Sequence, residues 1–397
     1  MSYADPRSAG HACRFGQYFS DRLREAQAIE TALQRHPELL VILRGLDVCS
    51  LELAIPSWVF IPLFQRLRAH SEQVSQKLAH LGHVPPFRFT LHAGEDFRRL
   101  VEGLRRIHEP LMFHMLGPGD RLGHAVALGL DPGRWAATTP ITRQPLEERL
   151  DDLVWELHLY REQCIPVDSS RIEAVRGEVA NLSRQIYENP IPADVLIEAW
   201  KQRHSPGVLK RLGYPHMGAL SRRRIVAAAA QPQDWLLWRY LTDYDVYHRG
   251  QRTTEVQATD GEVQVLRRMQ YFLRKHVAQR GMTVEANPSS NLLIGDIPFE
   301  AHPIFALQPL AGMQAAEGGP VPVSLGDDDP ITFASCLPDE FSYLYYQLVR
   351  QGIGAQDAMN WLDQVRKNGL RARFTLPNYS RMPERRSRRP RSGRAPV

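Results

Sequence analysis

The chain has 397 residues, 43% of them hydrophobic and 23% charged, enough to fill the core of one large domain or two ordinary ones. No uninterrupted run of about 18 apolar residues occurs, which argues against a membrane-spanning helix. The opening MSYADPRSAGHACRF lacks the basic-then-apolar pattern of a secretory signal. The net charge of +5 belongs to one end: residues 381–397 hold seven arginines and one glutamate, leaving 42 basic against 43 acidic residues elsewhere. The rest of the chain therefore does not recruit partners through a large positive excess.

Cys13, Cys49, Cys164 and Cys336 lie far apart with no C-x-x-C spacing. They read as reduced thiols, and the expected location is the cytoplasm.

In chain order, the pattern predicts a helix over 21–36 (DRLREAQAIETALQRH) and a strand within 39–49 (LLVILRGLDVC). A helix over 61–82, a strand over 87–96 (FRFTLHAGED), a helix over 95–109 and a strand over 121–128 (RLGHAVAL) follow. The rhythm then breaks. Residues 131–280 read as mainly helical, and Leu146, Leu150, Leu153 and Leu157 share one face of a helix over 145–163. Further helical patterns cover 191–204 and 261–281, before strands over 282–291 (MTVEANPSSN) and 321–330 (VPVSLGDDDP). Strands alternating with helices predict a parallel α/β fold. Its parts would lie in 1–130 and 281–380, around a helical insertion over 131–280. The Arg/Pro/Ser-rich segment 381–397 is expected to be disordered.

The chemistry-bearing residues follow the predicted strands. His92 and Glu95 follow FTL, and His124 follows RLG. Asn287, Ser289 and Asn291 follow TVEA, and Asp327, Asp328 and Asp329 follow VSLG. In a β/α barrel such strand ends open onto one face. Imidazole and carboxylate converging there suit zinc, and a carboxylic acid beside an activated water can shuttle protons. Each residue alone also has an ordinary structural reading: a packed histidine, a turn at Gly94, a helix cap at the aspartates, an Asn/Pro turn. Their shared position at one end of successive strands favours a site.

LHAGE, RLGHA, NPSSN and SLGDDDP, in that order, resemble the adenosine deaminase family of metal-dependent hydrolases. The resemblance implies a TIM-type (β/α) barrel and zinc-dependent conversion of adenosine, or a related adenine nucleoside or nucleotide, to the inosine form. It implies His92 and Asp328 as zinc ligands, Glu95 as proton shuttle facing the purine, and His124 as the group orienting the attacking hydroxide. It also implies Asp329 as a substrate and hydroxide contact, and His302-Pro303 matches a further family segment. The insertion and the phrases GLDVCSLEL and LPDEFSYLYYQLV resemble large bacterial adenosine deaminase-like proteins, a group that includes the deaminase subunit of the RADAR phage-defence system.

Three departures accompany the resemblance. The H-x-H pair of the family's first strand, which supplies two further zinc ligands, has no counterpart; the nearest pattern is His11-Ala-Cys13. Ser50 stands where the family usually has a glycine beside the purine, and Gly123-His124-Ala125 stands for G-H-G. GLDVC resembles the family's fourth strand, so the expectation is an incomplete barrel, its strands resembling the fourth to eighth, that holds zinc weakly and is inactive or poorly active alone. Partners expected are the purine substrate, further copies of the chain, a missing N-terminal half and, through the arginine tail only, nucleic acid. The alternatives are a non-catalytic oligomeric or nucleic-acid-associated module and an amidohydrolase acting on another amino-purine.

Overall fold

A computed structural model describes residues 13–49, 52–166, 168–216, 231–295, 297–310, 319–332 and 334–376. The five expected strands form within their predicted segments: β1 (Gly45–Val48), β2 (Arg88–Ala93), β3 (Arg121–His124), β6 (Thr283–Ala286) and β7 (Val323–Leu325). They build one all-parallel sheet in the order β1-β2-β3-β6-β7. The fold is α/β. Part of the first segment departs from expectation: Pro37–Val41 is a 3-10 helix begun by Pro37, and only Gly45–Val48 pairs.

The register separates the two faces of the sheet. Phe89, Leu91, Leu122, Val284 and Val323 fall on one face and are buried. Helix α2 (Ile61–Lys77) covers it, with Phe64 stacked on Phe89 at a centroid distance of 4.3 Å. The opposite face carries Asp47, Thr90, His92, Arg121 and Glu285, as strict alternation along paired parallel strands requires. There Glu285 accepts from Thr90 Oγ1 at 2.6 Å and pairs with Arg121 Nη1 at 3.0 Å. The C-terminal helix, Ala355–Ala372, runs beside β7, where Asn368 Nδ2 donates to the Val323 carbonyl. Beyond it, Phe374 lies against Gly45 and under the Arg121 guanidinium, 4.1 Å from its ring.

The stretch between β3 and β6 is mainly helical and includes α5 (Leu146–Arg161), α7 (Ala193–Arg203) and α11 (Asp260–Gln279). It also contains an antiparallel ribbon of β4 (Ile141–Pro145) and β5 (Thr253–Gln257). These elements pack over α3 (Leu100–Met112), burying every residue from Leu100 to Leu111. Arg99, just before α3, donates to both carboxylate oxygens of Glu262, to Thr142 Oγ1 and to the Val256 carbonyl. Within α3, Arg105 reaches Asp152, Glu148 and Glu109, and His108 Nδ1 accepts from Trp155 Nε1 at 2.9 Å. Charges this deeply buried persist only when paired and hydrogen-bonded. Among the described residues, no helix is long and apolar enough to cross a membrane.

Candidate functional site

The site is assembled at the C-terminal ends of β2 and β3. Ala93 pairs with His124 and His92 with Gly123. A Cβ on Gly123 would stand 2.7 Å from His92 Cδ2, so glycine is what leaves room for the imidazole. The two histidine rings meet edge to face with centroids 4.5 Å apart. After His92 the chain turns through Gly94 at φ 82, a left-handed conformation that glycine adopts without penalty. A Cβ there would also collide with Ile107 of α3 at 2.4 Å. The turn delivers Glu95 to His124, with Oε1 3.0 Å from Nδ1.

Asn291 ties these residues to β6. It lies on the helix Pro288–Gly295, and its Nδ2 is 2.7 Å from Glu95 Oε1 and 2.8 Å from His124 Nδ1. The Nδ1 atom therefore either accepts from Asn291 or, when protonated, donates to Glu95. Burial lowers the affinity of His124 for a proton, but its bond to Glu95 and the surrounding carboxylates outweigh that and raise its pKa. His124 Nε2 is buried and has no hydrogen-bond partner. Both His124 (φ 60) and Ala125 (φ 45) are left-handed, a conformation that costs non-glycine residues roughly 1–2 kcal/mol each.

Two carboxylates complete the surroundings. Asp47 Oδ2 lies 3.8 Å from His92 Nε2, and burial pushes its pKa up against the opposing effect of His92. Glu52 accepts from Gly94 N at 2.7 Å and Glu95 N at 3.1 Å, clamping the turn that carries Glu95. Burial raises its pKa to about 7, although both backbone bonds favour the anion. The sequence reading used GLDVCSLEL as a phrase and assigned neither acid. Their place just after an apolar strand, the signal that found His92, could have found them too.

A cavity of about 380 Å³ opens beside the turn, with Tyr18, Arg22, Cys49, Glu52, His92 and Arg106 among its walls. This lies within the usual range for small-molecule sites, roughly 300–1,000 Å³.

Of the expected residues, the structure brings together His92, Glu95 and His124, whose potential ligand atoms all lie within 4.8 Å of one another. Asp328 is exposed at φ 53, outside this group, and its charge helps raise the His124 pKa. Asp329 is exposed and caps its own loop, accepting from Ile331 N, Thr332 N and Thr332 Oγ1, which lower its pKa. His302 is buried at the start of the helix Pro303–Leu307, where Nδ1 accepts from Ile304 N; burial pushes its pKa down to about 3. Ser50, His11 and the tail 381–397 lie outside the described residues. Cys13 is buried, with Sγ bonded to the Pro215 carbonyl at 2.8 Å.

No protein-family model matches the chain, and no curated protein does either.

The cluster's own chemistry remains informative. His/Glu/His is a donor set that zinc accepts, and the orphaned buried Nε2 of His124 suits a metal ion or a metal-activated water. The residues present fit the ion.

Proposed function

We propose that this site carries out zinc-dependent hydrolytic deamination of adenosine, or of a related adenine nucleoside or nucleotide, to the inosine form. The observation that carries the reading is the convergence of His92, Glu95 and His124 at adjacent strand ends, with His124 Nε2 orphaned. The motif resemblance supplies the reaction class. A bound zinc would supply the Lewis acidity that lowers the pKa of a water toward about 7.

In this reading His92 and Asp328 hold the metal. Glu95 takes the proton from the attacking water and passes it to the purine ring nitrogen. His124 hydrogen-bonds the nucleophile through Nε2, while Asn291 fixes both Glu95 and His124. Asp329 and Ser50 contact the substrate. The parallel sheet, with charged groups on its uncovered face, is consistent with part of a β/α barrel. All-parallel sheets are ordinarily covered on both faces, and further strands bearing the remaining zinc ligands would complete this one. Without them, two or three ligands hold zinc weakly and the chain turns over poorly.

The test has two arms. The chain is loaded with zinc, its metal content measured, and ammonia and inosine followed with adenosine as substrate. The same is done after fusing strands that carry an H-x-H pair ahead of residue 1. Turnover in the fused protein that is lost in Glu95→Gln is the expected result. No turnover in the zinc-loaded fusion would overturn the reaction, and full turnover with tight zinc in the unfused chain would overturn the weak-loading claim.

A further inference from the structure

Next to the site lies a second cavity of about 230 Å³ that the proposed reaction does not use. It shares Ala54 and Arg106 with the cavity beside His92, and five arginines line it: Arg14, Arg98, Arg105, Arg106 and Arg203. Four carboxylates also line it, so the wall carries a formal excess of one positive charge.

The hydrogen-bonding capacity of the wall is more unequal than its charge. Its carboxylates are engaged: Glu147 by Arg14, Glu148 by Arg105 and Arg106, Glu109 by Arg105 and Ser57, and Asp151 by Arg203. The donors are not exhausted. Arg14 Nε and Nη2, Arg106 Nε, Arg203 Nε and Trp58 Nε1 are all buried without a partner. All four residues are more than nine-tenths buried. A wall with spare donors and occupied acceptors selects a ligand made of acceptors.

The positions of these donors are fixed by packing. Tyr240 is sandwiched between two guanidinium groups, with Arg14 Cζ 4.2 Å and Arg203 Cζ 4.5 Å from its ring centroid. Arg14 also lies 4.7 Å from Tyr247. Trp58 is held edge-on by Phe15 and Tyr214. Donors held in place before binding lose little freedom when a ligand arrives.

We propose that this chamber is an anion site for a phosphate-class oxyanion, taken either as a free phosphate or as the phosphate of a larger molecule entering past Arg106. The inference is independent of the deamination reading. Acceptor oxygens on a compact tetrahedral centre suit guanidinium edges and an indole N–H.

Isothermal titration with inorganic phosphate, pyrophosphate and adenosine monophosphate tests it on the full chain, alongside the variants Trp58→Phe and Arg14→Lys. Phenylalanine keeps an aromatic ring and deletes one unsatisfied donor. A purely structural Trp58 would therefore leave anion binding unchanged, whereas the proposal expects phosphate affinity to fall about tenfold with the melting temperature maintained. Lysine keeps the charge opposite Glu147 and loses the fork, with a loss at least as large. Tighter binding of adenosine monophosphate than of phosphate, equally weakened by Trp58→Phe, assigns the phosphate to a nucleotide; equal binding assigns a free anion. Absence of heat and of thermal stabilisation with all three probes at millimolar concentration, or binding indifferent to Trp58→Phe, overturns the proposal.

Discussion

Gly123 faces His92 across the β2–β3 ladder, and the absent Cβ is what lets the imidazole stand at the strand end. An alanine there would sit 2.7 Å from the ring. Gly123→Ala is expected to push His92 aside, with a stability loss of about 1–3 kcal/mol from overpacking. Zinc retention should fall more than global stability does. Equilibrium dialysis against zinc, compared with the urea midpoint, checks this; unchanged zinc affinity would refute it.

Asn291 is expected to act as a positioning residue through Glu95 and His124. Asn291→Ala removes the amide that fixes both, and partners of this kind typically govern metal affinity or activity by about 10–100-fold. Asn291→Asp replaces the donor with an acceptor beside Glu95 and should be at least as damaging. Zinc affinity and ammonia release measured on both variants decide the point.

Glu52→Gln should loosen the turn carrying Glu95. A glutamine oxygen accepts one of the two backbone N–H groups, and its own N–H₂ opposes the other. The expected loss is about 1–3 kcal/mol of stability, the cost of one buried unsatisfied donor. Denaturant titration measures it.

Arg99 and Glu262 bind the helical stretch to the sheet layer at zero and seven per cent side-chain exposure. Arg99→Met leaves a buried, unpaired carboxylate and should cost about 3–5 kcal/mol. The double variant Arg99→Met/Glu262→Met should recover much of that loss, since it removes the stranded charge as well. A double variant no more stable than the single one would show that the pair contributes beyond avoiding a lone charge.

His108 gives the fold a pH dependence. Burial, followed by repulsion from His276 and His158, lowers its pKa to about 3, against 6.5 for the free side chain. As pH falls below about 6.5 the unfolded chain takes up the proton first, so stability is full above that value. It declines toward pH 3 at up to about 1.4 kcal/mol per pH unit. His108→Gln, whose amide oxygen can still accept from Trp155 Nε1, should flatten melting temperature against pH between about 6.5 and 4. A profile identical to the parent's would refute the assignment.

The five strands of the sheet were legible because each is a short apolar run ending in a turn, and their order along the chain matches their order in space. His92, Glu95 and His124 were legible for the same reason: they are the first polar residues past those runs. The ribbon of β4 and β5 was not. Its strands are short and polar, and Arg143 meets Glu255 across 112 residues of sequence. Asn291 was visible as a polar candidate, but its role depends on closeness to Glu95, 196 residues away. The charged residues of α3 read as a solvated face and are buried instead, because what covers them comes from α5, α7 and α11. No local pattern announces a cover made of distant segments.

That enclosure of α3 has a kinetic consequence. A helix buried on all sides cannot open by local fraying, so its amides should exchange with deuterium only through near-global unfolding. Ile107 and Gly103 of that helix press directly on Gly94, where any Cβ would collide with them. The loop presenting Glu95 therefore rests on the slowest-exchanging part of the molecule, and a change anywhere in the α3 enclosure should register first as altered protection at Gly94 and Glu95.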